Sequence, residues 1–329
     1  MPDKLVDLHG RTIDYLRISI TDLCNFRCIY CRPPQGVKLV SHKDILRYEE
    51  ILRIVTAAKN LGIRKIRVTG GEPLVRRGVL DFIAKLTSEL GFEDVALTTN
   101  GSRLLEMAEG LRKAGLKRVN VSLDTLRRDC FHAITGADEL ENVLRGIDKL
   151  LEIGFHPIKL NVVLLKGVNE SDVPDFVRLA IDRPVDVRFI ERMPFGAEVA
   201  PPGSPDSFSA LEALRSIEKS FGKLEPLDRS TLDGPAKMYK VQGALGRIGV
   251  IDPVTGHFCG TCNRLRLTAR GALRPCLLSP AEIDIKSLLR RSPEDCEIED
   301  FIRRAVFAKP ASRFSNVENM NVGMNLIGG

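Results

Sequence analysis

Two hydrophobic rhythms alternate along the chain. In short runs every second residue is apolar, and in longer runs apolar residues return every three or four positions. The first rhythm predicts strands over residues 16–21, 65–69, 95–99, 118–123, 158–164 and 185–190. The second predicts a helix over 44–61, with Tyr48, Ile51, Val55 and Ala58 on one face, and helices near 104–114, 142–153 and 172–180. Ser41 followed by Asp44 reads as a capping box for the first helix. Six strand–helix units in this order imply a parallel sheet with right-handed crossovers. Eight would close a barrel. Six predict an α/β fold built as a partial, laterally open (β/α)6 TIM-like barrel, and an open doubly wound sheet stays as the alternative.

A loop with four prolines and two glycines spans 194–208, and a helix over 209–221 follows it. Beyond Leu224 the alternation stops. Short strands at 239–242 and 247–251 and a cysteine-rich hairpin predict a small C-terminal α+β domain. The expected division is 1–224 and 225–329, which suits a chain of 329 residues.

Parity within the strands adds chemistry. Leu16, Ile18 and Ile20 share one face of the first strand, against Arg17, Ser19 and Thr21 on the other. Likewise Arg67 and Thr69 oppose Ile66 and Val68, and Asn120, Ser122 and Asp124 oppose Val119, Val121 and Leu123. Lys159, Asn161 and Arg188 continue the polar set. Barrel interiors are ordinarily filled with Val, Ile and Leu. Buried cations facing one another are costly without anions between them, so the pattern favours a phosphate-bearing ligand. Pairing with Asp124 and Asp186 is the competing explanation.

Composition narrows the setting. The chain is 43% hydrophobic and 28% charged, with no apolar run long enough to cross a membrane. The first ten residues lack the apolar core of a signal peptide, so a cytoplasmic location is expected. The net charge of +6 suits an anionic substrate or nucleic acid equally. In a reducing compartment eight cysteines are poor candidates for disulfides. Six of them fall in two clusters, which argues for metal, while Cys130 and Cys296 read as core thiols.

Cys24, Cys28 and Cys31 supply three thiolates from one tight loop with no fourth ligand nearby. A closed zinc site wants four ligands, whereas a cubane iron–sulfur cluster on three thiolates keeps one iron open. Cys259, Cys262 and Cys276 form a second triad. His257 as a fourth ligand would make it a zinc site. Four arginines (Arg264, Arg266, Arg270, Arg274), with no acid between Gly256 and Ala281, favour instead an anionic ligand at an open iron. The turn Gly70-Gly71-Glu72-Pro73 allows close backbone approach to a ligand. No P-loop occurs, so a nucleotide would be held by side-chain cations.

The cysteine loop with Asn25, Phe26, Arg27 and Tyr30, the Gly-Gly-Glu-Pro turn, and the second triad followed by Asn263-Arg264-Leu265-Arg266 resemble radical S-adenosylmethionine (SAM) enzymes, specifically the GTP 3′,8-cyclase family of molybdenum cofactor biosynthesis. The resemblance implies two [4Fe–4S] clusters, one per triad, and a cytoplasmic lyase that uses SAM to join ribose C3′ of GTP to guanine C8. It implies SAM contacts at Tyr30, Gly71, Ser122 and Met193, and GTP contacts at Arg17, Arg67, Thr98, Lys159, Arg264 and Arg266, with Arg17 also assisting proton movement. The implied partners are a flavodoxin- or ferredoxin-like electron donor of low potential, and a cyclic pyranopterin phosphate synthase that receives the product. A homodimer, no nucleic acid and no membrane complete the expectation. The terminal Gly328-Gly329 matches a family tail that enters the active site, while Gly78, Arg270 and Arg313-Phe314 depart from the family pattern. The rivals are a radical SAM peptide-modifying maturase and a zinc-bearing nucleic-acid-binding protein.

Overall fold

Eight parallel strands stand side by side at the centre of the molecule, six from residues 15–191 and one added at each edge from later in the chain. The structure is a computed structural model that describes residues 4–31, 41–193, 208–256, 258–312, 324 and 327. Its strands are β1 (Tyr15–Ser19), β2 (Lys65–Thr69), β3 (Asp94–Thr99), β4 (Arg118–Ser122), β5 (Ile158–Leu164), β6 (Val185–Glu191), β7 (Glu225–Leu227), β8 (Lys237–Lys240), β9 (Arg247–Ile251), β10 (Arg264–Leu267), β11 (Ala272–Arg274) and β12 (Ile283–Asp284). The sheet order is β12-β11-β10-β1-β2-β3-β4-β5-β6-β9-β8-β7. Strands β10, β1 to β6 and β9 run parallel, and antiparallel pairs finish both edges. The sheet does not close, so the expected partial barrel is the observed architecture.

The helices are α1 (Tyr48–Asn60), α2 (Val79–Ala84), α3 (Leu104–Lys113), α4 (Arg128–Thr135), α5 (Leu140–Glu152), α6 (Val173–Asp182), α7 (Ala210–Phe221), α8 (Ile285–Leu289) and α9 (Asp295–Phe307). The apolar parity set of the strands is buried, Leu16, Val68, Leu97, Val121, Leu160 and Phe189 among it. That burial beneath amphipathic helices supplies the main driving force for the fold. None of the described helices is long and apolar enough to cross a membrane.

Several boundaries differ from expectation. Residues 42–44 make only a short 3-10 turn, and α1 starts at Tyr48. Glu50 closes that cap by accepting the Arg47 backbone N–H at 2.7 Å, whereas Asp44 donates its N–H to the Ser41 carbonyl in a plain turn. Helices α2 and α4 are too short for a period to stand out. Helix α9 does carry one, in buried Ile298, Ile302, Ala305 and Val306, within a segment where alternation had ended. The strand expected at 239–242 lies two residues earlier, where β8 pairs with β9. The expected loop at 194–208 falls almost wholly outside the described residues.

Candidate functional site

Arg17 of β1 faces Arg67 of β2 on one side and Arg266 of β10 on the other, in register. Adjacent strands lie about 4.8 Å apart, so three guanidiniums form one row across the sheet. Tyr15 and Arg264 make the next row. All five line a single large cavity, together with Thr98, Ser122, Asn161 and Arg188 from the other polar faces. The parity argument therefore located the interior. Burial pulls the Arg17 guanidinium down to about 10, with Arg67 and Arg264 adding repulsion. It does the same to Arg188, at about 9, and takes Arg266 well below its usual value. The nearby acids are otherwise engaged. Asp124 accepts the Tyr30 hydroxyl at 2.7 Å, and Asp186 receives Arg247 at 2.6 and 2.9 Å. Within this cavity the charge calls for an anion.

Lys159 stands apart from the row. It is buried, but its amine donates to the Leu232 carbonyl at 2.5 Å and lies 3.8 Å from Asp233, and it is not among the residues lining the cavity. Burial, and then Arg188, bring its pKa down to about 7. Arg67 is aimed by its neighbours: its side chain donates to the Tyr15 hydroxyl and, at 3.3 Å, to Thr98. Tyr15 was missed as a site residue although it shares the face of Arg17.

The first triad sits just past the end of β1. Phe26 is buried edge-on against Phe131 at 5.7 Å, and the N–H groups of Arg27 and Ile29 donate to the carbonyls of Thr135 and Ile134 at the end of α4. Asn100 bridges to Asn25 at 2.9 Å. Cys24, Cys28 and Cys31 line the same cavity as the arginines, and so do Tyr30, Gly71, Ser122 and Met193. The glycine turn is pressed against the protein's own backbone: a Cβ on Gly71 would stand 2.2 Å from the Leu23 carbonyl oxygen, and one on Gly70 2.7 Å from that of Thr21. Glu72, fully buried, accepts from Leu74 N–H, Thr99 hydroxyl and Asn100 N–H at 2.6–3.0 Å. Burial nonetheless raises its pKa to about 7.

The second triad lies across the cavity. Cys259 opens a short 3-10 turn, Cys262 precedes β10 by two residues, and Cys276 follows β11 by two. All three line the cavity, with Arg264 and Arg266 between them in sequence. Arg264 stacks over Phe258 at 5.1 Å. Burial works against ionisation of Cys262, but the charges of Arg264 and Lys309 overcome it and bring the thiol to about 6. Of the four arginines expected here only two face the ligand space. Arg274 is buried in an ion pair with Glu282, just beyond the acid-free stretch, and Arg270 is not among the residues lining the cavity. Cys130 is buried as expected, but Cys296 is exposed on α9 and is no core thiol. His257, Arg313-Phe314 and Gly328-Gly329 lie outside the described residues. Near the chain end, Ile327 is buried with Met193, Leu277 and Met324, and the Met324 N–H donates to the Cys31 carbonyl at 3.0 Å.

These donors suit iron–sulfur clusters. Each triad offers three half-buried cysteines, none of them in a disulfide. Among the described residues no three His, Cys, Asp or Glu side chains converge tightly enough to chelate a single ion.

Comparison with known proteins agrees with this geometry. The Radical SAM superfamily profile matches residues 18–180, and the Molybdenum Cofactor Synthesis C profile matches residues 185–315. A GTP 3′,8-cyclase of Alkaliphilus oremlandii is 46% identical over 326 residues, 98% of this chain and 99% of that protein. One from Desulforamulus reducens is 47% identical over 307 residues, 93% of this chain and 94% of that one. Among solved structures, Streptococcus suis SuiB bound to S-adenosylmethionine superposes with a TM-score of 0.61 at 14% identity, covering 92% of this chain and 66% of the longer SuiB. Native anSMEcpe with bound AdoMet gives 0.58 at 16% identity, over 90% of this chain and 81% of that one. At such identities the likeness concerns the fold alone.

Proposed function

The chain belongs to the radical SAM superfamily and, within it, to the GTP 3′,8-cyclases, and from that membership we propose that it converts GTP to 3′,8-cyclo-7,8-dihydroguanosine 5′-triphosphate, the first step of molybdenum cofactor biosynthesis. The observation that supports this reading best is the meeting of both cysteine triads and the guanidinium row in one cavity. The cavity's volume of about 350 Å³ lies within the roughly 300–1,000 Å³ of a ligand pocket.

Cys24, Cys28 and Cys31 would hold one [4Fe–4S] cluster and Cys259, Cys262 and Cys276 the other. When bound, the first cluster and SAM supply the radical that removes a ribose hydrogen from GTP. Tyr30, Gly71, Ser122 and Met193 would seat SAM beside the first triad. Arg17, Arg67, Arg264 and Arg266 would bind the triphosphate and the guanine end, each charge-assisted hydrogen bond contributing roughly 1.5–3 kcal/mol. Thr98 orients Arg67, and Lys159 would add a further cation for the substrate. Arg17, buried beside Tyr15, assists movement of the last proton. Holding both reactants in one enclosed space positions ribose against radical and keeps water out. A low-potential flavodoxin- or ferredoxin-like donor, a downstream cyclic pyranopterin phosphate synthase, a cytoplasmic setting and a homodimer belong to the same reading.

Anaerobic incubation with SAM, dithionite and GTP tests it. Expected are 5′-deoxyadenosine and a product of the mass of GTP with an altered ultraviolet spectrum. Protein that arrives colourless, with zinc in place of iron and sulfide, would refute the reading.

A further inference from the structure

Lys309 is a buried lysine with 3% of its surface exposed, in a chain position that no motif marks. Its amine donates to the carbonyl of Arg264 at 2.8 Å and to that of Pro275 at 2.7 Å. Arg264 lies two residues after Cys262, and Pro275 immediately precedes Cys276. One ammonium thus ties the first residue of β10 to the end of the hairpin that returns from it. The thiols of Cys262 and Cys276 are near enough to count among the charges that act on it. Arg11 completes the arrangement from the other chain end. It donates to the carbonyl of Cys259 at 2.9 Å and to those of Pro310 and Ala311, while Asp7 holds its side chain at 2.5 Å.

We propose that Lys309 is a positioning residue of the second cysteine triad, fixing the Cys262 and Cys276 segments relative to one another and placing a positive charge beside them. The inference rests on the reading that this triad carries an iron–sulfur cluster. Two backbone carbonyls could be satisfied by a neutral donor, whereas an ammonium also offsets the negative charge of thiolates. Removing a cation beside a cluster makes electron uptake harder, so the potential falls.

The test uses the full chain, reconstituted without oxygen, as the unaltered protein and as Lys309→Met and Lys309→Arg. Iron and sulfide are counted per chain, and each cluster is titrated by low-temperature electron paramagnetic resonance. The expected result for Lys309→Met is either a fall from about eight irons to about four, or full loading with the second cluster's midpoint moved to more negative potential. The first cluster keeps its signal, and Lys309→Arg retains both the iron and the potential. Full loading with an unmoved second midpoint in Lys309→Met would overturn the inference, as would loss of both clusters together. Failure of the underlying reading looks different: the unaltered protein itself would then show no second cluster.

Discussion

Arg266 is the clearest single residue on which function and stability pull apart. Its guanidinium is buried next to Arg17 and Arg264, and burial alone disfavours its charge. Burying an ion costs several kcal/mol even after relaxation, and the like charges of Arg17 and Arg264 add repulsion to that cost. Arg266→Met is therefore expected to raise the melting temperature of the ligand-free protein while weakening GTP binding at least tenfold, with SAM cleavage retained. Calorimetry and equilibrium binding decide it; unchanged GTP affinity would remove Arg266 from the anion site. Glu72 offers a second residue-scale test through pH. A carboxyl held near 7 in the fold and near 4.5 when unfolded binds more protons folded than unfolded between those values. Its contribution is harmless below about 4.5, and stability falls as pH rises through 7, by roughly 3 kcal/mol in all. Glu72→Gln should flatten that slope between pH 5.5 and 8 in urea denaturation, after an overall loss for the acceptor that Asn100 N–H no longer finds.

At the scale of elements, the strand faces were legible and the loop contacts were not. Alternation fixed which side of β1, β2, β4 and β5 is polar because a strand offers only two faces and the apolar one must meet helices. Parity could not say which polar residues reach the ligand. Lys159 shares the inward face yet turns to Leu232 and Asp233, contributed by a loop seventy residues later. Arg274 likewise found Glu282. Lys309 carried no local signal at all, since its partners are distant backbone carbonyls. The glycine turn was legible as a close approach, but the surface approached is the cysteine loop itself. Gly71→Ala is accordingly expected to push residues 22–24 aside and cost the first cluster while the second survives, halving the iron bound. Iron analysis with full retention of the first cluster's resonance signal would show that the turn tolerates a methyl.

For the whole molecule, the division expected at residue 224 meets a sheet that runs continuously across it. Strand β10 pairs with β1, and β9 with β6. A fragment ending at 224 would leave both β1 and β6 with open edges, and such edges seek other chains. That fragment is expected to aggregate on expression, whereas a soluble monomeric fragment with cooperative unfolding would establish an autonomous barrel. The fold class was readable because six units repeat one pattern. Strand β9 was readable at 247–251 but its place beside β6 was not, and β10 was legible only as part of a cysteine-rich hairpin, because a short single strand that joins an existing sheet leaves no repeat of its own.

Asp14 and Asn263, hydrogen-bonded beside the β1–β10 pairing, are separated by 249 residues. A ribosome delivers them many seconds apart, at roughly 5–20 residues per second. For most of that interval Arg17 lies on an unfinished rim, and Cys259, Cys262 and Cys276 of the proposed second cluster are not yet made. Loading of that proposed cluster must then wait until residue 276 has been added. An assembly factor for this protein would meet a finished but empty shell.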